Sequence, residues 1–491
     1  MKYPDDSLNQ KNFKSTANMK TENLTHAWSM ALGRVAVLLS VLVLSFVAKA
    51  DFTIDYIDYR VLENGDEVEV CGGTPDNGKL KIPEKVTYRT KTYTVTRVAE
   101  NAFEHASVEY LEIPNTVNEI GAYAFSECRL GSVTIPPSIK VIGECAFKDC
   151  DSPASGEQEI KVQISDLAAW CDVDFADKYA NPLSNKRSNL YLNRKKTYDL
   201  VIPDGVATIK QYAFCHNFLS VTFPPSVKEI GTRAISGYEN DYYDTLAIYL
   251  SDLAAWCNVT GDIPGGKNLY LNGEPVNSLI IPEGVEAVPA RGFYGCESIE
   301  SVAVPNTVIE IGAEAFSHCR NLKTAVIPNS VTEIKNKAFA SCFNLEKVTV
   351  GNSIKTIGDL AFSFCHLTDF FIGNPVPPSA GNDCFYFAYD HATLHIPKNS
   401  KKTYLKSSTW SKFHNIIEYD ASGIGDVMAE EEIGFSVSGG VLTVTGVEGC
   451  MIEIYDMSGR RVYEGVSPVV SGLPRGIYLL KAGNRTAKIC I

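Results

Sequence analysis

At 491 residues, with 21% charged side chains and a formal net charge of −13, the chain exceeds one ordinary hydrophobic core, and simple repulsion sets it against nucleic acid and anionic lipid surfaces. Fourteen cysteines would suggest disulfides in an exported protein, but the spacing of most of them follows another rule.

The first predicted element is an export signal over residues 1–50. An uncharged apolar run, Val35 to Ala48, follows Arg34 and leads into Ala48-Lys49-Ala50, the small-x-small form that signal peptidase requires, so cleavage is expected after Ala50. The run is 14 residues long, short of the roughly 20 that span a bilayer as a helix, which makes an uncleaved anchor the weaker alternative. The stretch before it mixes Asp5, Asp6 and Glu22 with lysines, so Met19 or Met30 is a candidate true start.

Residues 51–110 are expected to form an N-terminal cap and first repeat. Here Pro83 reaches Val98 only after an insertion, Tyr88 to Tyr93, that reads as a hairpin shielding the first edge. From 111 to 395 an Ile-Pro-like marker recurs, at Pro114, Pro136, Pro203, Pro224, Pro282, Pro305 and Pro328, with Gly351 as a variant. Six residues after each marker stands an aliphatic residue, such as Ile120 or Ile334. Eleven after stands Phe125, Phe147, Phe214, Ile235, Phe293, Phe316, Phe339 or Phe362, preceded by Ala in seven units and Gly292 in the other. Each unit reads as a strand ended by Pro, a turn, and an Ala-Phe segment that folds its ring inward. One unit cannot bury its own apolar face, whereas a stack can.

Two longer inserts copy one another: Ser165-Asp166-Leu167-Ala168-Ala169-Trp170-Cys171 matches Ser251 to Cys257, and Leu190-Tyr191-Leu192-Asn193 matches Leu269 to Asn272. A Ser or Asp before Leu-Ala-Ala-Trp predicts an N-capped short helix between strands. Ile396-Pro397 then leads through Trp410, Phe413, Ile416 and Ile417 to a closing cap over 396–419, and residues 420–432 read as an acidic linker. Over 433–491 strand alternation returns without the Ile-Pro register, which predicts a small C-terminal β-sandwich.

Ile113-Pro114, Ile120-Gly121, Ala124-Phe125 and Cys128 together resemble the BspA-like leucine-rich repeat of surface proteins in Bacteroidetes-type bacteria and some mucosal protists. The fold class expected is therefore mainly β: a leucine-rich-repeat-like solenoid with short helical turns, followed by the C-terminal unit. In that unit Tyr455, Gly459, Arg460, Gly476, Tyr478 and Lys488 lie in segments similar to the sorting domain of type IX secretion substrates. That resemblance implies transport to the outside of a Gram-negative cell, where the domain is removed or exchanged for an anchor. Membrane contact is then expected only through export or anchoring machinery.

Chemistry is not indicated. Cys128, Cys150, Cys296, Cys319, Cys342 and Cys365 each fall 14 residues after a marker and read as a buried column of small apolar fillers; a metal or disulfide stack is the alternative, but no pair has zinc spacing. Cys71, Cys145, Cys215, Cys384, Cys450 and Cys490 fall outside that register. His216, His318 and His366 adjoin cysteines, but sequence neighbours in such turns seldom face one another. No His-Glu-x-x-His, phosphate-binding loop or nucleophile elbow occurs, so neither an enzyme nor a cofactor is expected. Trp170 and Trp256 read as packed rings, with sugar stacking as the alternative.

Binding is expected on the outward strand positions. Two residues before each marker stand Glu112, Thr134, Val201, Thr222, Ile280, Ala303, Val326 and Thr349; the column four before includes Tyr110 and Lys347. Tyr238, Tyr242 and Tyr243 mark a candidate contact loop. The BspA resemblance implies adhesion to a host matrix protein or a bacterial partner. A glycan-capturing surface protein is the alternative, and a hydrolase with an unrecognised site is the third reading.

Overall fold

A computed structural model describes residues 50–150, 159–236 and 246–419 and, beyond them, 434–438, 441–445, 451–456, 460–467, 469–474, 477–482 and 485–490. It is mainly β, with 6% helix and 37% strand, and forms a β-solenoid of about 15 turns. The alternation ahead of each marker places every second residue inside: Ser132 and Thr134 are half-buried, while Val133 and Ile135 are buried. These strands stack in parallel and in sequence order, Leu111 beside Val133 beside Val162 in the first part and Val302 beside Ala325 beside Val348 in the last. The aliphatic residue six after the marker forms a second, shorter ladder, with Ile311, Ile334 and Ile357 side by side.

The solenoid divides into three sheets along the marker strands. Each insert ends in a two-residue turn, Asn193-Arg194 or Asn272-Gly273, with both residues at positive φ. That geometry closes a tight antiparallel ribbon, Leu192 against Lys195 and Leu271 against Glu274, which interrupts the parallel ladder. The Leu167–Cys171 and Leu253–Cys257 helices are capped by Asp166 and Asp252, whose carboxylates accept from Ala169 and Ala255 N–H at 2.9 Å. Trp170 and Trp256 are buried and donate through Nε1 to Ala213 O at 2.8 Å and Gly292 O at 2.9 Å. Neither ring is available to stack on a sugar.

Inside, the core aromatics of adjacent units lie flat on one another in two runs, Phe103 to Phe147 and Phe293 to Phe385. Ring centroids of Phe293, Phe316, Phe339 and Phe362 follow at 5.4, 5.1 and 5.1 Å with interplanar angles of 16° or less. The Ala before each ring, such as Ala315 or Ala338, is fully buried and leaves the space that the stack occupies. Before the first complete unit, the Lys85–Tyr88 and Lys91–Val98 strands pair as a hairpin, with Phe52 stacked on Tyr88 at 4.4 Å. At the far end Trp410, wholly buried, donates to Pro378 O at 2.9 Å and contacts Phe370, Phe385 and Tyr404.

Beyond residue 434 a three-stranded and a four-stranded antiparallel sheet share one apolar cluster, including Leu442, Val470, Ile452, Ile454 and Leu480.

The cysteines depart from expectation in one respect. Cys128, Cys150, Cys319, Cys342 and Cys365 do more than fill space: each thiol donates to the carbonyl of the preceding unit's aromatic, Cys342 Sγ to Phe316 O at 3.0 Å and Cys319 Sγ to Phe293 O at 3.1 Å among them. Burial pushes the Cys128 and Cys296 thiols up to about 12, so little thiolate forms at neutral pH. Iodoacetamide should therefore leave the in-register thiols unlabelled in the folded chain and label them together on unfolding, as read by peptide mass mapping. Rapid native labelling of Cys319 or Cys342 would contradict this packing.

Candidate functional site

The outward column of the marker strands is a long face whose side chains are fixed in register. It runs through Lys81, Glu112, Thr134, Gln163 and Tyr191, then Val201, Thr222, Tyr249 and Tyr270, then Ile280, Ala303, Val326, Thr349, Phe371, His395 and Ile417. Six of these, Gln163, Tyr191, Tyr249, Tyr270, Phe371 and Ile417, are not apparent from the Ile-Pro marker, because their strands lack the Pro. The marker-independent signal is the alternation in Ile248-Tyr249-Leu250 and Leu269-Tyr270-Leu271.

The ends and the middle of this face differ in charge. At the start Lys81 pairs with Glu112 at 3.0 Å. Farther along, Glu159 accepts from Tyr191 Oη, from Lys196 Nζ at 2.5 Å and from Asn189 at 2.9 Å. Burial pushes the Glu159 carboxyl up, and the hydrogen bonds from Lys196 and Tyr191 outweigh it, so the group stays below its ordinary value. At the far end His395 stacks on Phe371 at 3.9 Å, its Nε2 lies 2.7 Å from Asp369 Oδ1, and Lys347 Nζ sits 5.1 Å from the Phe371 ring centre. Between these ends, from Val201 to Val326, Asp199 is the only charged residue in the two columns, and its carboxylate accepts from Ser220 Oγ at 2.6 Å. Tyr249 and Tyr270 lie ring on ring at 4.4 Å within this stretch.

Among the expected face residues, Tyr110, Glu112, Val201, Val326 and Lys347 are exposed, and Thr134, Thr222, Ile280 and Ala303 are half-buried. Thr349 must be corrected: it is 5% exposed, because the strand beside it carries the bulky Phe371 at the same register, and it offers no contact surface. Tyr238, Tyr242, Tyr243, Ala48, Gly459 and Gly476 lie outside the described residues, and Ala50 begins them. Tyr455 and Tyr478 are buried in the C-terminal unit, Arg460 is exposed, and Lys488 lies on the Arg485–Cys490 strand.

The cysteine-histidine neighbours do not form pairs. Cys215 donates to Tyr212 O at 3.3 Å and Cys365 to Phe339 O at 3.1 Å, while His318 Nδ1 lies 2.9 Å from Ser317 Oγ. Burial pushes His216 down to about 4 and leaves it neutral. Among the described residues, one trio, Glu144, Cys145 and Asp177, brings possible metal-binding atoms within 4.8 Å of one another. Its Asp177 carboxylate already caps Ala180 N–H at 2.7 Å and takes the Cys145 thiol at 3.4 Å, which accounts for the grouping as a turn.

A model of the BspA type leucine rich repeat region matches residues 85–167, 186–245 and 266–391 in six copies. The chain belongs to this family. None of the curated proteins matches it significantly. Among solved structures, a leucine rich cell surface protein from Faecalibacterium prausnitzii is 20% identical over 65% of this chain and 94% of its own, with a TM-score of 0.38. A leucine-rich repeat protein from Bacteroides ovatus is 22% identical over 75% of this chain and all of its own, with a TM-score of 0.34. The pneumococcal vaccine antigen PcpA is 17% identical over 76% and 100%, with a TM-score of 0.41.

This BspA-type solenoid carries a second exposed apolar feature, in the turns that follow the core aromatics Phe339, Phe362 and Phe385 of its last units. Phe343, Phe364, Tyr386 and Phe387 are between 39% and 53% exposed, and Phe364 lies within 5.5 Å of both Tyr386 and Phe387. Phe364 and Phe387 occupy the left-handed region, at φ 58° and 81°, a conformation that bulky residues seldom adopt. Local sequence such as Phe362-Ser363-Phe364-Cys365 looks like a core run, and only the turn shows that its second aromatic points away.

Proposed function

We propose that the protein is exported and displayed at the cell surface, where the nearly uncharged middle of its ladder binds another protein, either a host matrix component or a partner on a bacterial surface. The outward column from Val201 through Tyr249, Tyr270 and Ile280 to Val326 carries this reading: apolar and aromatic side chains standing on rigid, registered strands in an otherwise acidic protein. Such groups surrender little conformational freedom on contact, and extended ladders are the surfaces that solenoids offer to partners. The role is one of binding rather than catalysis. The apolar run ahead of Ala48 and Ala50 supports export, and the sorting-like segments around Tyr455, Arg460 and Tyr478 support a C-terminal unit used by the export or anchoring machinery.

Replacing Val201 and Val326 together by Lys tests the ladder. Both are exposed, so the fold should tolerate the change within about 0.5 kcal/mol per site. Binding to an immobilised matrix protein that the wild type captures should fall to background. Retained affinity, with melting unchanged, would reject the ladder as the contact.

The aromatic corner supports a second reading, in which the ligand is a glycan. Clustered exposed rings at Phe364, Tyr386 and Phe387 offer faces for sugar stacking that the buried Trp170 and Trp256 do not.

A further inference from the structure

We propose that the outer face of the C-terminal four-stranded sheet is an interaction surface whose partner is this chain's own ladder, seated at Ser278. Strands Ile452–Asp456 and Ile477–Ala482 form the middle of that sheet. Ile452, Ile454, Leu480 and Ala482 face the unit's own core, so the two-residue period turns Glu453, Tyr455, Leu479 and Lys481 to the other side. In a sheet with nothing against it, that side would meet water. Instead the Lys481 and Glu453 side chains are each 17% exposed and Tyr455 is buried.

The covering is identified by a contact that spans 203 residues: Lys481 Nζ donates to Ser278 Oγ at 2.6 Å. Ser278 is an outward ladder residue, and its hydroxyl lies 3.0 Å from Ser301 Oγ on the next strand. Lys481 is neutralised from its own side, where Glu453 lies 3.2 Å away and is itself held by Tyr455 Oη at 2.8 Å and Arg461 at 3.2 Å. A half-buried ammonium needs both such a counter-charge and a hydroxyl acceptor. The ladder supplies adjacent hydroxyls at Ser278 and Ser301, while the same column presents Tyr110, Asp199 or Lys347 at some other strands and hydroxyls such as Ser132 and Ser220 at others. The consequence is that the full chain covers its own ladder beside Ile280, and a ligand reading that part must displace the C-terminal unit. The docking rests on its own contact and holds whether or not the ladder takes a foreign ligand.

The test uses the full chain with Lys481→Cys paired either with Ser278→Cys or, as a control on the same column, with Ser132→Cys. Each protein is treated at high dilution with a short bifunctional maleimide, and the linked peptides of the monomer are mapped. Docking predicts that the Ser278 link exceeds the Ser132 link by about tenfold or more, since a seated contact concentrates the two thiols beyond what a tether alone achieves. Equal yields at the two positions, or no link at Ser278, would overturn the proposal. Should the cysteine pair perturb folding, Lys481→Glu decides. It sets like charge against Glu453, so the radius of gyration of the full chain should rise, and an unchanged radius counts against docking.

Discussion

Phe339→Ala should destabilise the solenoid by roughly 3–5 kcal/mol, read as a shift in the urea unfolding midpoint. The ring is fully buried and lies 5.1 Å from both Phe316 and Phe362, so its removal opens a cavity and breaks two stacked pairs, each contributing about 0.5–1.5 kcal/mol beyond area burial. Phe339→Ile should cost much less. The chain itself places Ile235 at this position of another unit, and a bulky aliphatic there still excludes water from both neighbours. If Phe339→Ala fell within about 0.5 kcal/mol of the wild type, the range of ordinary surface substitutions, the aromatic column would not be the core.

Trp410→Ala should be of similar size, about 3–5 kcal/mol, but differently placed. Trp410 closes the last coil, and its loss leaves Pro378 O without the indole donor while exposing Phe370 and Phe385. In a stack where each coil contacts only its neighbours, stability is a sum of units and interfaces, so damage at an end frays inward. Hydrogen exchange should therefore rise first in Asn415–Tyr419 and Thr393–Pro397, then in Asp369–Ile372, with Ser132–Ile135 unaffected. A uniform loss of protection along the whole chain would show that the molecule behaves as one cooperative core rather than as a stack.

Most of the fold can be read from residue spacing because the repeat makes one observation many times. A marker, an aliphatic residue six later and an aromatic eleven later fix both ladders and the core stack, and Asp166 and Asp252 announce the two helices. What escapes is whatever depends on a neighbour in space. Thr349 has the alternation of an outward residue, yet it is covered beside Phe371, on the next coil. The thiol donors escape because a cysteine at constant spacing looks like a filler until the facing carbonyl is known. The turns hide as well: Tyr123, Arg291, Glu314, Lys337 and Leu360, nine residues after their markers, all have positive φ where no glycine gives notice. Tyr249 and Tyr270 were obscured because the inserts keep the strand but drop the proline. The aromatic corner was obscured because an outward Phe364 and an inward Phe362 are two residues apart in one apolar run.

Two apolar surfaces therefore compete for the role of contact site, the ladder middle and the aromatic corner. The decisive measurement compares three full-length proteins, the wild type, Val201→Lys with Val326→Lys, and Phe364→Lys with Phe387→Lys, for equilibrium binding to an immobilised matrix protein and to mucin glycan. The ladder account predicts that protein binding disappears in the first variant and survives in the second. Protein binding lost only when the corner is charged, with the ladder variant indistinguishable from wild type, would contradict it.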